Sequence, residues 1–304
     1  MRISLHTFIK KALFDIWTAK ERLFKVHEHL SSGKRLTKPS DDPIAIYHAE
    51  NIKNDKKAIS QYSENIADAI GWMRFTESVL DTLTEKLTRA KQLALQGSND
   101  TYTTEERQKI AEEVNQILEN IYAMSNTRYK EKYIFGGTET LTEAYSAVYD
   151  PVTGEITDVL PNPAGITGQI LREINENEFI VINLSGEEVF SGPDVDIFDV
   201  LIDLRDSLRT DDINGIKQAI EDLETALNQV LRARTKLGGM MNRLENCDSF
   251  LKSKDLSLEK NLSQLEDADI AEEVIMLEKE QMLYQMALAA TQKVLSLSLT
   301  QFIV

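Results

Sequence analysis

The chain has 304 residues, a formal net charge of −16 and 42% hydrophobic residues, which is enough apolar material for one or two folded domains. The negative charge argues against nucleic acid and anionic membrane surfaces as general partners. Cys247 is the only cysteine, so the sequence supports neither a disulfide framework nor a cysteine metal cluster. Met1–Trp17 lacks a continuous apolar run and a small-residue cleavage site, and we expect no ordinary secretory signal.

The first predicted helix spans Leu5 to Leu30 and is amphipathic, with a wide apolar face. The residues of that face are Leu5, Phe8, Ala12, Ile16, Ala19, Leu23, Val26 and Leu30. The chain has four histidines, but His27 and His29 lie two residues apart and point to different sides of a helix. We therefore expect no metal site, and nothing in the sequence indicates a cofactor.

A charged link with two prolines, Lys34–Pro43, follows this helix, and Pro39 and Pro43 forbid its smooth continuation. Pro43 suits the first turn of a second helix, with Asp41 or Asp42 as its N-cap. Apolar residues then recur every seven positions, which is typical of a long coiled-coil helix. They are Ile52, Ile59, Ile66, Met73, Leu80, Leu87 and Ala94.

The spacing of apolar residues changes in the middle of the chain. Thr103 and Glu106 have the spacing of a capping box at the start of a third helix. From Tyr133, glycines and prolines separate short apolar runs such as EITDVL and FIVINL, which predicts a small β-rich domain over 133–194. Gly136-Gly137 has no phosphate-loop context, and we interpret it as a turn.

Helical periodicity returns at Asp196–Leu208 and continues in a long row from Ile216 to Leu265. Positions in this row alternate by four and three residues. Its polar members are Arg234, Asp248 and Asp255. The predicted helix matches the one over 43–96 in length, and an antiparallel pair of the two would bury both apolar rows.

The last segment, Asp267–Val304, contains no Gly or Pro and is predicted to form one helix. One row of this helix comprises Ile270, Val274, Leu277, Gln281, Tyr284, Leu288, Thr291, Leu295, Ser298 and Phe302. A second row, from Met276 to Val304, covers a neighbouring face, so one partner helix would not cover both. The part after Gln281 has the length of a membrane span, but its repeated Gln, Ser and Thr residues argue against insertion.

Charge differs between the two ends of the chain. Met1–Lys38 carries nine Lys and Arg against three acidic residues, whereas Glu266–Glu280 carries seven acidic residues and one lysine. We expect these two segments to pair. An isolated helix is marginal in water because ordering its backbone costs about 1–2 kcal/mol per residue. We therefore expect the terminal helices to be disordered in the monomer and to order on assembly.

Together these patterns predict a mainly α protein: a long antiparallel coiled-coil-like helical rod with a small β-rich inserted outer domain and two terminal helices. The predicted domains are 1–42 with 267–304 for the terminal region, 43–132 with 195–266 for the rod, and 133–194 for the insert. The candidate functional residues form an assembly interface on the terminal helices. They are Leu5, Phe8, Ile16, Leu23, Leu30, Ile270, Val274, Leu277, Tyr284, Leu288, Leu295 and Phe302.

Four motifs, in order along the chain, resemble signatures of the flagellin superfamily. They are SSGKRLTKPSDDPIAIYHAENI from Ser31, LTRAKQLALQGSND from Leu87, LGGMMNRLE from Leu237 and DADIAEEVIMLEKEQMLYQMA from Asp267. With the first helix they extend over roughly two thirds of the chain. Two motifs resemble those of the superfamily members that join the hook to the filament: KPSDDP (38–43) and YIFGGTET (133–140). Flagellin itself usually has Ala-Ala-Gly after the paired aspartates. The Pro-Phe that usually follows YIFGGTET is absent.

This resemblance implies an extracellular structural protein of the bacterial flagellum, exported unfolded through the flagellar type III apparatus. Its terminal helices would form an inner tube, and its subunits a ring. The implied partners are other copies of itself, a hook-associated junction protein on the hook side, flagellin on the filament side and an export chaperone at the C-terminal helix. Nucleic acid binding and membrane insertion are not expected.

Three alternatives compete with this interpretation. An enzyme is not indicated, because no Ser-His-Asp order, metal-ligand spacing or phosphate loop stands out and the carboxylates lie mostly off the apolar rows. A membrane-tethered coiled-coil receptor would sediment with membranes, unlike a secreted protein. The third alternative is flagellin, the filament subunit of the same superfamily. The motifs at 38–43 and 133–140 argue against it.

Overall fold

The computed structural model describes residues 5–300, with side chains described at Thr7 and from Ile9 to Lys293. Helix accounts for 69% and strand for 10% of the chain, so the predicted mainly helical class is confirmed. The protein forms two compact units: residues up to Ala58 with those from Ser253 onward, and Ile59–Lys252. The three-part domain division stays a prediction.

The helices in the described residues are α1 (Leu5–Ser32), α2 (Pro43–Gly97), α3 (Thr104–Ser125), α4 (Gly186–Val189), α5 (Ile197–Thr210), α6 (Ile213–Glu266) and α7 (Ile270–Thr300). The strands are β1 (Arg128–Tyr129), β2 (Lys132–Tyr133), β3 (Tyr145–Tyr149), β4 (Ile156–Pro161), β5 (Leu171–Asn175) and β6 (Glu178–Val181). The four-residue helix α4 lies where the sequence indicated no element.

Side-chain caps fix where the helices begin. Asp42 is the N-cap of α2, because its Oδ1 accepts the N–H groups of Ile44 and Ala45 at 3.1 and 3.0 Å. Asp269 caps α7 in the same way, through the N–H groups of the next turn. The capping box predicted at Thr103 and Glu106 is present at the start of α3.

In the second unit, α2 and α6 run antiparallel and bury the apolar rows that the sequence predicts. The buried members are Ile59, Ile66, Met73, Leu80, Leu87 and Ala94 on α2, and Ile216, Leu223, Val230, Leu237, Leu244 and Leu251 on α6. The polar exceptions in the α6 row have partners on α2. Ser63 donates to Asp248 Oδ1 at 3.1 Å, and Arg234 binds Glu77.

The segment between α3 and α5 contains three two-stranded antiparallel sheets, β1–β2, β3–β4 and β5–β6. Their registers pair Arg128 with Tyr133, Tyr145 with Pro161, and Leu171 with Val181. Short hairpins cannot bury a large core by themselves. A cluster of four buried aromatic rings supplies it: Phe135, Tyr145, Phe190 and Phe198, with neighbouring centroids 5.0–5.7 Å apart.

The turn predicted at Gly136-Gly137 is confirmed. Glu139 N–H donates to Gly136 O at 2.9 Å, and Gly137 has a φ of +59°, which favours glycine. A Cβ on Gly137 would lie 2.7 Å from Gly168 N, so this turn also packs against the backbone of a neighbouring loop.

Candidate assembly surface

The terminal unit is built on an antiparallel pair, α1 and α7, whose register is set beside the links. Lys34 forms an isolated antiparallel bridge with Asp267, and Ala268 N–H donates to Gly33 O at 3.0 Å. One turn further along α7, His29 Nδ1 lies 2.8 Å from Glu273 Oε1. Since α1 runs towards the link and α7 runs away from it, each further residue on α7 lies beside an earlier residue on α1.

Glu266 connects three segments at this point. Its side chain is buried, with Oε2 2.8 Å from Lys34 Nζ and Oε1 2.6 Å from Lys53 Nζ of α2. Its carbonyl oxygen accepts the Arg35 N–H at 2.7 Å. Burial raises the pKa of Glu266, but the hydrogen bonds from Lys34 and Lys53 outweigh it and the pKa lies below the usual value. The predicted pairing of the basic start with the acidic run therefore occurs here.

A second group of contacts holds the first link against α1. Lys25 Nζ lies 2.9 Å from Asp41 Oδ1, and Lys38 Nζ lies 3.0 Å from Glu28 Oε2. The Lys25 hydrogen bond and the backbone N–H groups of Lys38 and Thr37 lower the pKa of Asp41 to about 2. The link is thus fastened to α1 by ionised groups.

The face of α1 that is partly covered has the periodicity predicted from the sequence. Its half-buried members are Ile9, Ala12, Ile16, Ala19, Leu23, Val26 and Leu30. Their spacing of three and four residues forms one stripe along the helix, which is how a helix contacts a single partner helix. The buried His29 lies beside the end of this stripe.

On α7 the covered row differs from the predicted one. Its buried or half-buried members are Glu273, Leu277, Glu280, Tyr284, Ala287 and Thr291. The predicted row from Ile270 shares with it Leu277, Tyr284 and Thr291. Apolar periodicity could not select Glu273 and Glu280, because both are acidic. The sequence signal for them is their position four residues before and three residues after Leu277, together with His29 on the other helix.

The predicted interface residues thus fall into three groups. Ile16, Leu23, Leu30, Leu277 and Tyr284 are half-buried on the α1–α7 pair. Ile270, Val274 and Leu288 are exposed. The side chains of Leu5, Phe8 and Leu295, and all of Phe302, lie outside the described residues.

Both helices of the pair expose further large apolar side chains. On α1 these are Leu13, Phe14, Trp17 and Phe24, and Phe24 is 70% exposed. On α7 they are Ile275, Met276, Met282, Leu283 and Met286. The sequence had indicated part of this surface through the second row on the last helix, but not Phe14 and Trp17. Exposed apolar surface on this scale is characteristic of sites for protein–protein association.

Within the part of the chain that the structure describes, no group of three His, Cys, Asp or Glu side chains is close enough to hold a metal ion. Nor does any helix of the described residues have the length and apolarity needed to cross a bilayer.

An antiparallel long-helix pair and a two-helix terminal unit with exposed apolar faces define a mainly helical protein with surface suited to protein–protein association. The model of the bacterial flagellin N-terminal helical region matches residues 7–140, and that of the flagellin C-terminal helical region matches residues 220–303. The chain belongs to the flagellin family, whose members are structural components of the bacterial flagellum.

Individual relatives are similar to this chain over most of its length. Flagellar hook-associated protein 3 of Escherichia coli (strain K12) is 26% identical over 282 residues, which cover 88% of this chain and 89% of the relative. The flagellar filament 30.7 kDa core protein of Treponema maltophilum is 26% identical over 264 residues, covering 86% and 85%. The structure of flagellar hook associated protein-3 from Legionella pneumophila superposes with a TM-score of 0.62 at 15% identity, covering 71% of this chain and 98% of that one.

Proposed function

We propose that this protein is a structural subunit of the flagellum that joins the hook to the filament. The observation that carries the proposal is the exposed apolar surface on both helices of the α1–α7 pair. The motif KPSDDP at 38–43 supports a place at the junction, and so does the similarity to hook-associated protein 3. The subunit has no catalytic role: it acts by binding its neighbours.

The terminal helices supply the contacts between subunits. Leu288, Val274 and Ile270 lie on one exposed side of α7, while Phe14 and Trp17 lie on α1. Fully burying such a side chain stabilises an assembly by about 1.5–3 kcal/mol. A ring of copies buries the same faces on every subunit, since α1 and α7 of one copy lie between those of its neighbours. Leu5, Phe8, Leu295 and Phe302 stay members of this interface as predicted from the sequence.

A subunit that lies between the hook and the filament has a different partner on each side. A hook-associated junction protein contacts the ring on the hook side, and flagellin adds on the filament side, for which the ring is a template. The protein is exported through the flagellar type III apparatus. Before export a chaperone covers the apolar faces of the C-terminal helix, because an exposed helix of this kind favours aggregation. Deleting Gln281–Val304 should abolish the chaperone complex.

Locating a tagged copy along intact flagella tests the proposal. The expected label is a single band between hook and filament, and disruption of the gene should give hooks without filaments and filament protein in the medium. Label along the whole filament would instead identify a filament subunit, the alternative that the Treponema relative represents. Label absent from flagella would overturn both.

A substitution pair tests the contact surface itself. Leu288→Asp places a carboxylate in the proposed interface and should abolish incorporation, because an unpaired charge is costly to bury. Val152→Asp is the matched control, since Val152 is 90% exposed in the β3–β4 turn of the second unit. The control should be incorporated normally, and both monomers should have the parent's circular dichroism. Normal incorporation of Leu288→Asp would show that this face makes no subunit contact.

A further inference from the structure

The middle of α6 contains two adjacent glycines, Gly238 and Gly239, whose small size the fold itself does not require. A glycine inside a helix is destabilising relative to alanine, because it loses more backbone freedom on folding. The other eleven of the thirteen glycines either have a positive φ or would bring a Cβ within 3.0 Å of another atom. A Cβ at Gly238 or Gly239 would meet no described atom within 4 Å. The two glycines therefore leave room at the surface of α6 that the rest of the fold does not use.

Gly239 lines a groove of about 390 Å³ between the 236–243 stretch of α6 and strand β6. All the residues that line this groove belong to the second unit. Phe179 of β6 is 54% exposed beside it, and Met240 of α6 is half-buried. The middle of the groove is therefore apolar and accessible from outside the chain.

Strand β6 has an edge that no other strand covers. β5 and β6 form a two-stranded sheet, so each has one unpaired side. The Ile182 N–H donates to Ile170 O at 3.0 Å, and backbone groups alternate in direction along an antiparallel strand. The N–H and C=O groups of Phe179 and Val181 therefore point away from β5, and these two residues line the groove.

The opposite edge of the same sheet is covered by the rod, since Asn65 Nδ2 of α2 donates to Glu173 O of β5 at 2.9 Å. An uncovered edge is a template for a further strand, which would lie about 4.8 Å from β6. A strand added there would run along the 236–243 stretch of α6. Its backbone can approach the helix closely because Gly239 has no side chain.

Two basic side chains border the groove. Lys236 and Arg243 are seven residues apart on α6, about 10 Å along its axis, which is the length of roughly three residues of extended strand. Lys236 is paired with Glu188 at 2.5 Å and Arg243 with Glu178 at 2.7 Å, yet both basic side chains are more than half exposed. A lysine has three donors and an arginine five, so each can bind a further carboxylate. Charge complementarity therefore favours a strand with acidic side chains.

We propose that this β6–α6 groove, formed by residues 179–181 and 236–243, binds an extended acidic segment of another protein by strand addition. The segment pairs its backbone with Phe179 and Val181 and places apolar side chains at alternate positions against Phe179 and Met240. A carboxylate of the segment binds Lys236 or Arg243. The inference goes beyond the proposed function and does not depend on it, since the groove lies wholly within the second unit.

Selection from a library of random seven-residue peptides displayed on phage tests the proposal. The full chain is the bait, and the Gly239→Leu variant, whose new side chain fills the groove, is the counter-bait. We expect peptides that bind the parent at least about tenfold more tightly than Gly239→Leu. They should contain Asp or Glu and alternating apolar residues, and lack proline at the paired positions. Gly239→Leu should not lower the melting temperature, because leucine is the better helix former.

Further variants separate the features of the groove. Asn246→Leu is the matched control, since Asn246 is exposed on α6 seven residues after Gly239, and it should bind the selected peptides as the parent does. Val181→Pro removes an N–H that points away from β5 and should weaken binding about three- to tenfold. Replacing Lys236 and Arg243 together by Gln should weaken binding of the acidic peptides and spare their Asn and Gln analogues.

Several results would contradict the proposal. Peptides that bind Gly239→Leu as tightly as the parent occupy another surface, and basic peptides would refute the charge argument. Unchanged binding by Val181→Pro would refute strand addition. Sedimentation of the full chain supplies the last check: a dimer that Gly239→Leu abolishes would mean that the occupant is a second copy and not another protein.

Discussion

Arg234 of α6 contacts Glu77 of α2 through two nitrogens, with Nε 3.0 Å and Nη2 2.7 Å from the same carboxylate oxygen. Asp81 lies 2.8 Å from Nη2. Hydrogen bonding to Glu77 raises the pKa of Arg234, which stays charged. In the sequence, Arg234 was an exception in an apolar row. In the fold it is paired with these acids across the antiparallel helices, and we expect these contacts to help fix the register of the pair.

Replacing Arg234 tests this role. Arg234→Met keeps the aliphatic contacts but leaves Glu77 and Asp81 unpaired, and should reduce the free energy of unfolding by about 1 kcal/mol because both partners are partly solvated. Urea unfolding of Arg234→Met, Glu77→Gln and the double variant gives the coupling free energy. A coupling close to zero would mean that the apolar rows alone set the register.

The aromatic cluster should dominate the stability of the β-containing segment. Phe135 is fully buried and makes an edge-to-face contact with Phe190 at 5.0 Å. Phe135→Ala should cost about 3–5 kcal/mol in unfolding free energy, because it removes this contact and leaves a cavity. Leu141→Ala, at a side chain 78% exposed, should change it by less than about 0.5 kcal/mol. Similar values for the two would show that the cluster does not form in solution.

Substitution by alanine should lower the free energy of unfolding by different amounts at two glycines that have similar φ angles. Gly137 (φ +59°) and Gly154 (φ +71°) both occupy the left-handed region. A Cβ at Gly137 would meet the Gly168 nitrogen at 2.7 Å, whereas one at Gly154 would meet open space. Gly154→Ala should therefore cost about 1 kcal/mol from backbone strain alone. Gly137→Ala should cost about 3 kcal/mol, since backbone must also move. Equal melting temperatures of the two variants would contradict the packed turn.

Acid should release the first link from α1. The pKa of Asp41 is lowered from its usual value of 3.8 to about 2, so its ionised form is favoured by folding. Its stabilising contribution is complete above about pH 4 and is lost as the pH falls through about 2. The pH dependence of unfolding should be shallower in this window for Asp41→Asn than for the parent, and Lys25→Met should raise the carboxyl pKa seen by NMR. An Asp41 titration near pH 4 in the parent would refute the Lys25 contact.

Much of the helical architecture could be predicted from the periodic spacing of apolar residues in the sequence. Heptad rows predicted α2 and α6, Gly33 and Pro43 marked the first link, and Thr103 with Glu106 marked the start of α3. These features are local: a cap or a row of apolar residues is determined by neighbours within a few positions of the chain. The motifs around Ser31, Leu87, Leu237 and Asp267 identified the family for the same reason, since each is a short contiguous stretch.

What the sequence alone did not determine depends on which groups meet across the fold. It predicted that α7 would have an apolar side but not that α1 would cover the row of Glu273 and Glu280. That choice depends on His29 and on the links held at Glu266, which lie far away in the chain. It also left Arg234 as an exception and α4 unnoticed. Hydrophobic periodicity reports which residues avoid water, whereas a buried charge is acceptable or costly according to its partner, and only the tertiary structure supplies or withholds that partner.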